Sequence, residues 1–233
     1  LFQQTLVTDQ SELLTQVVQD YWRQQFYRLP ASALDCLLKI VASPAALQKA
    51  LQGMLSRQEA SWQFGGEPLP PPETVDIAGL LNHAAKVAEQ HAQLQDAARA
   101  LWRENRAEIE ALLVALLPQF NGRTYPKKDE SGVFEGWMAE MAAWSEGGDA
   151  PGKLKAFSQS GIKLNKGAAA PQHAAFAAID DWLYAGEEAA PSAAKLRPLL
   201  LRHALVHVQR ALELDKQRRA ELGFDDLLQR LDA

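Results

Sequence analysis

Apolar residues recur at steps of three and four along most of this chain, the period of helices buried on one face. Leu14, Val17, Val18, Tyr21, Trp22 and Phe26 form the first such stripe, with Thr8 or Asp9 as N-cap and Pro30 as its limit. A second helix is predicted from about Ser32 to Val41. Ser43-Pro44 then sets a capping hydroxyl before a proline at the first helical position, opening a third helix through Leu47, Leu51 and Leu55. The stretch FGGEPLPPPET at 64–74 reads as a hinge, a flexible glycine pair followed by stiff polyproline.

The most regular pattern comes next. Ile77, Leu80, Ala84, Val87, His91, Leu94, Ala98, Leu101 and Asn105 alternate steps of three and four, a weak heptad seam. It predicts one strand of an antiparallel helical arm over 74–117, returning through Ile109, Leu112, Leu113 and Leu116. From 119 to 172 the periodicity fades into loops around a short helix bearing Trp137, Met138, Met141 and Trp144. A compact helix through Phe176, Ile179, Trp182 and Leu183 follows. Pro198 then stands in the first turn of a further helix buried through Leu201, Ala204, Leu205, Val208 and Leu212. No strand is predicted, and the fold class is all-α, a multi-helix domain with a projecting arm.

Charge and composition narrow the picture. The formal net charge of −5 speaks against a general nucleic-acid coat while leaving room for local basic patches. Cys36 has no second cysteine to pair with, and its neighbours Leu34, Leu37 and Leu38 point to a buried structural thiol. The longest apolar run, ALLVALL at 111–117, is too short to span a bilayer, and LFQQTLVTDQ is not a signal peptide. A cytoplasmic protein is expected. The closing RRAELGFDDLLQRLDA ends one helix at Gly223 and opens another at Asp225, so a piece of a longer protein is expected.

Candidate chemistry is sparse. No phosphate-cradling Gly-x-x-x-x-Gly-Lys-Ser/Thr motif occurs; GIKLNKG has the wrong order. His203 and His207 have helical metal-ligand spacing, but they lack a third ligand and read as polar residues flanking a buried stripe. Asp180-Asp181 and Asp225-Asp226 have no convergent catalytic partner, and the second pair opens a helix, where carboxylates are stabilised by the helix dipole. No catalytic, cofactor-binding or metal-ligating residue is therefore assigned. The basic loops carry more. GRTYPKK sets Arg123, Lys127 and Lys128 around Tyr125, and KLNKG adds Lys163 and Lys166. Cations interleaved with an aromatic suit phosphate contact on DNA, though a solvated loop would read the same way, with Asp129 and Glu130 following directly.

Three stretches add a family. LFQQTLVTDQSELLTQVVQDYWRQQFYRLP, AAFAAIDDWL and KQRRAELGFDDLLQRLDA resemble segments of the beta subunits of exodeoxyribonuclease V, the RecB-type helicase–nucleases. The resemblance implies that residues 1–215 form the all-helical 1B subdomain of a superfamily 1 helicase, with 216–233 starting the return into the ATPase domain. It implies an ATP- and Mg2+-dependent helicase and exonuclease acting at double-strand breaks, with none of its catalytic residues in this stretch. It further implies contact with double-stranded DNA ahead of the fork and assembly with the gamma and alpha subunits. An alternative is a scaffolding insert that docks those subunits without touching DNA, anchored by Trp62, Phe64, Trp137 and Trp144.

Overall fold

The computed structural model describes residues 5–6, 11–55, 61–125, 131–219 and 221–222. It is built almost wholly of helices: α1 (Ser11–Phe26), α2 (Ala31–Ile40), α3 (Pro44–Gln52), α4 (Ile77–Glu104), α5 (Arg106–Leu116), α6 (Ser131–Ser145) and α7 (Ala174–Arg219). The all-α expectation is met. Four two-residue strands accompany the helices among the described residues: β1 (Thr5–Leu6), β2 (Gln63–Phe64), β3 (Glu67–Pro68) and β4 (Glu221–Leu222). The chain divides into two compact units, Leu1–Lys86 with Ser192–Ala233, and Val87–Pro191. Both divisions fall inside helices, one within α4 and one within α7.

In the first unit, α1 buries Leu13, Leu14, Val17, Val18, Tyr21, Trp22 and Phe26. This is the stripe read from the sequence, extended by Leu13. Trp22 and Phe26 meet edge to face with ring centroids 5.1 Å apart, a geometry that the aromatic quadrupoles favour. α3 starts as its sequence specifies: the Ser43 hydroxyl accepts a hydrogen bond from the Ala46 N–H at 3.1 Å, with Pro44 in the first turn. Leu47 and Leu51 of α3 are fully buried, and the Gln48 carboxamide donates to the Thr15 hydroxyl of α1 at 3.0 Å. Cys36 is half-buried and packs against this core.

The expected hinge at 64–74 is instead a tied-down strap. Gly65 and Gly66 have φ of 61° and 85° and close an antiparallel hairpin between β2 and β3. Two consecutive positive φ values are what a two-residue hairpin turn needs. The Leu69 N–H continues the pairing to the Trp62 carbonyl at 2.9 Å, and Leu69 and Pro72 are buried. Arg202 of α7 donates to the carbonyls of Leu69 and Pro70. The polyproline thus serves as a packed connection. Asp76 then caps α4, its carboxylate accepting from the Gly79 N–H at 2.9 Å.

α4 has the expected span, but its buried line differs from the seam. Ile77, Leu81 and Ala85 are buried in the first unit, Ala98 and Trp102 in the second, each set at steps of four. Leu80, Ala84, Leu94 and Leu101 are only partly buried. Nor does α5 return as the second half of an arm. It follows α4 after the single residue Asn105, whose N–H still bonds the Leu101 carbonyl (3.2 Å) and whose own carbonyl accepts from Ile109 (2.9 Å). Antiparallel helix pairs need a connection of about two to five residues. α5 instead sends Ile109 and Leu113 into the second core.

That second core gathers Trp102, Trp144, Phe157, Phe176, Met141 and Ile179, all with no exposed surface. Trp144 stacks on Trp182 with centroids 5.7 Å apart, so Trp144 is a core residue and not the interface anchor suggested above. α6 ends in a Schellman motif: Gly147 has φ 105°, and the Gly148 N–H bonds the Ala143 carbonyl at 2.9 Å. Arg99 and Arg103 add cations at this negative helix end, donating to the carbonyls of Gly148 (2.8 Å) and Ser145 (3.1 Å).

α7 runs unbroken through Pro191 and Pro198, where two helices were expected. Each interior proline costs about 3 kcal/mol. On either side lie apolar faces, Phe176, Ile179 and Trp182 in one unit and Leu200, Leu201, Leu205 and Val208 in the other. At about 1.5–3 kcal/mol per large buried side chain, those faces outweigh the prolines.

Candidate nucleic-acid interface

The two basic loops are separate segments in the sequence, and the fold of the second unit joins them. Phe120 and Leu164 form an isolated antiparallel bridge. On either side of it the Asn121 N–H donates to the Lys163 carbonyl (3.0 Å), and the Asn165 N–H to the Gln119 carbonyl (2.7 Å). Arg123, Lys163 and Lys166, all exposed, therefore belong to one loop cluster. Lys127 and Lys128 lie outside the described residues.

The first loop is built on a turn at Asn121. Its carbonyl accepts from Thr124 (2.9 Å) and Tyr125 (3.0 Å), and its side-chain oxygen accepts from the Arg123 N–H (3.0 Å). An Asn that bonds the backbone two residues on is a local turn device, and it leaves the Arg123 side chain exposed.

Tyr125 takes a different role from the one expected. It is 3% exposed and stacks on Phe120 with ring centroids 3.9 Å apart. Its hydroxyl donates to the Ala156 carbonyl. Burial pushes its pKa up to about 12, with the Lys163 backbone opposing, so the ring is a neutral anchor for the loop. A tyrosine flanked by cations can pack inward as well as outward, and here the neighbouring Phe120 supplies the partner. Tyr125 is thus withdrawn from any stacking contact with a base.

The second loop is held by side chains far away in sequence. The Asp180 carboxylate, on α7, accepts from both the Ser160 N–H (2.6 Å) and the Ser160 hydroxyl (2.7 Å). Gln159 is bonded three ways: its N–H donates to the Phe176 carbonyl (3.0 Å), its carboxamide donates to Pro171 (2.7 Å), and its side-chain oxygen accepts from His173 (3.3 Å). Ser158 is fully buried, and its hydroxyl donates to the Lys155 carbonyl at 3.1 Å. At Gly161 the backbone passes so close to Lys155 that an added Cβ would lie 1.7 Å from the Lys155 carbonyl oxygen. Lys163 bonds the Ser160 carbonyl through Nζ at 2.8 Å, which leaves two of its three donors free. Among these residues, the sequence presents Asp180 only as half of an acidic pair. Nothing local marks its partner, which lies twenty residues away.

An open pocket of about 300 Å³ lies beside this loop, lined in part by Lys155, Ser160, Asp180, Asp181, Tyr184 and Glu187. Its three carboxylates outnumber its one ammonium, and that ammonium is 3.4 Å from Glu187. Such a lining disfavours phosphate.

The histidine pair is structural. His203 is buried, with Nδ1 2.8 Å from the Tyr21 hydroxyl, and His207 donates from Nδ1 to the His203 carbonyl at 2.8 Å. Among the described residues no group of three His, Cys, Asp or Glu side chains is placed to hold a metal ion. No helix among them is long and apolar enough to cross a membrane.

No family model matches the chain. Among curated proteins, the chain is 30% identical over 239 residues to RecBCD enzyme subunit RecB of Escherichia coli (strain K12). The region is RecB-like. The match takes in 100% of this chain and 18% of that protein, so the chain spans less than a fifth of its relative's length.

Proposed function

We propose that this chain is a DNA-contacting accessory region of an ATP-dependent helicase–nuclease that acts in double-strand break repair and recombination, corresponding to its 1B subdomain. The observation that carries the reading is the similarity to RecB along the whole chain. The loop cluster of the second unit supports the contact role: Arg123, Lys163 and Lys166 stand exposed on backbone held by hydrogen bonds. The strands at either end support an insert, because Thr5–Leu6 and Glu221–Leu222 pair side by side in parallel.

The contact is to phosphates and not to bases. Arg and Lys on loops position a protein on the backbone without reading sequence, and Tyr125 and Phe120 stack on each other inside the fold. The partners in this reading are duplex DNA ahead of the fork and the other subunits of a RecBCD-type complex, and the setting is cytoplasmic. ATP and Mg2+ belong to the helicase activity. This sequence has no phosphate loop and the described residues no metal-binding group, so no step of ATP hydrolysis is assigned to them.

Binding of the chain to fluorescent blunt and forked duplexes of unrelated sequence, across a salt series, tests the reading. The expected outcome is binding that weakens steeply with salt and does not depend on sequence. No binding at low salt would move the assignment to the scaffolding reading, which the half-buried Trp62, Phe64 and Trp137 favour.

A further inference from the structure

We propose that Asp180 is a positioning residue for DNA contact, clamping Ser160 and thereby fixing the loop that presents Lys163 and Lys166. The inference rests on the loop cluster's being the phosphate-contacting surface. Its starting point is a mismatch of charge. An acid beside a basic loop opposes phosphate binding, and yet Asp180 points both oxygens at that loop, at 2.6 and 2.7 Å.

These bonds engage both oxygens of the carboxylate on a single residue. The Ser160 N–H and hydroxyl converge on the two oxygens, and charge-assisted bonds of this kind are about twice as strong as neutral ones. The Ser160 carbonyl, on the other side of the same residue, receives the Lys163 ammonium at 2.8 Å. A relay of three groups thus runs from α7 to the cation: Asp180 sets Ser160, and Ser160 sets Lys163. Next in the chain after Lys163, the bridge from Leu164 to Phe120 carries the position across to the loop that bears Arg123. Asp181, next in sequence to the clamp, is exposed and bonds nothing in this loop, so the pair divides into one clamp and one solvated acid.

The sign of one substitution separates a clamp from a mere charge. Removing an acid near the DNA-binding surface should, on electrostatics alone, tighten DNA binding. D181A is expected to do so or to leave affinity unchanged. D180A is expected to weaken binding several-fold and to lower the slope of log affinity against log salt by about one to two, roughly 0.9 for each phosphate that the loop no longer neutralises. D180N keeps an acceptor for the Ser160 N–H and is expected to restore affinity to the wild-type level or above it.

The experiment measures duplex affinity and salt slope for the 233-residue chain carrying D180A, D180N, D181A, K163A/K166A, and D180A combined with K163A/K166A. Melting curves confirm folding at the assay temperature. If Asp180 acts through the lysines, D180A has no further effect once they are gone, since coupled residues are not additive. D180A that tightens binding as D181A does, or that weakens it equally with and without the lysines, overturns the positioning role. K163A/K166A that leaves affinity and slope unchanged overturns the phosphate-binding reading beneath it. Should D180A fail to fold, D180L, which also removes both acceptors from Ser160, takes its place: weaker binding that depends on the lysines supports the proposal, and binding tightened as in D181A overturns it.

Discussion

Burial decides what the polar side chains of this molecule can do. His203 is the clearest case. Burial, and after it the neighbouring His207, lowers its pKa from 6.5 to about 4 against an opposing pull from Asp76. Tyr21 is raised by burial, so its hydroxyl is the donor and His203 Nδ1 the acceptor. A histidine held neutral in the fold but free to protonate when unfolded makes stability rise with pH between the two values. The neutral His203 contribution is complete above about pH 6.5 and is lost as pH falls towards 4. Melting temperatures of wild type and H203L from pH 4 to 7 check this. The wild type should lose stability faster than the variant as pH falls, and parallel curves would show that His203 does not titrate as assigned. Spacing alone brings this pair to notice in the sequence, and the want of a third ligand sets metal binding aside. Tyr125 is harder to read, because cations on both sides suit an exposed stacking residue and a buried anchor equally well.

Element by element, the sequence is legible where apolar spacing and capping agree. α1 follows its stripe, and α3 follows its own through Leu47 and Leu51 but ends at Gln52, short of Leu55; Ser43-Pro44 marks a helix start that the hydrogen bond to Ala46 confirms. It misleads where a local rule meets a long-range partner. FGGEPLPPP carries the glycine pair of a hairpin, but the polyproline beside it suggests a hinge, and Arg202, which ties it down, lies about 130 residues away. Pro191 and Pro198 suggest a break that burial on both sides overrides. The loop 158–165 belongs to the same group, since its anchors Asp180, Phe176 and Phe120 are all distant in sequence. Gly161 is its tightest point. G161A would press a methyl group into the Lys155 carbonyl, and overpacking of this kind costs about 1–3 kcal/mol. Urea unfolding should show a loss of that size. A midpoint equal to wild type would mean that the close approach is relieved at no cost.

The described residues gather into two cores, one around Phe26, Leu37 and Leu81 and the other around Trp102, Trp144 and Phe176. Neither division between the units is visible in the sequence, because each is crossed by a continuous helix. The cluster of Arg123, Lys163 and Lys166 lies in the second unit, on a chain whose net charge is −5. Under the proposed function, DNA contact comes from this local patch, and neutralising it should remove most of the salt dependence. The decisive measurement is the salt slope of duplex binding for the chain with Arg123, Lys163 and Lys166 all changed to alanine. The account predicts a slope reduced by about 2 to 3 from wild type, near 0.9 for each cation removed. A variant that binds duplex DNA with the wild-type slope would contradict it.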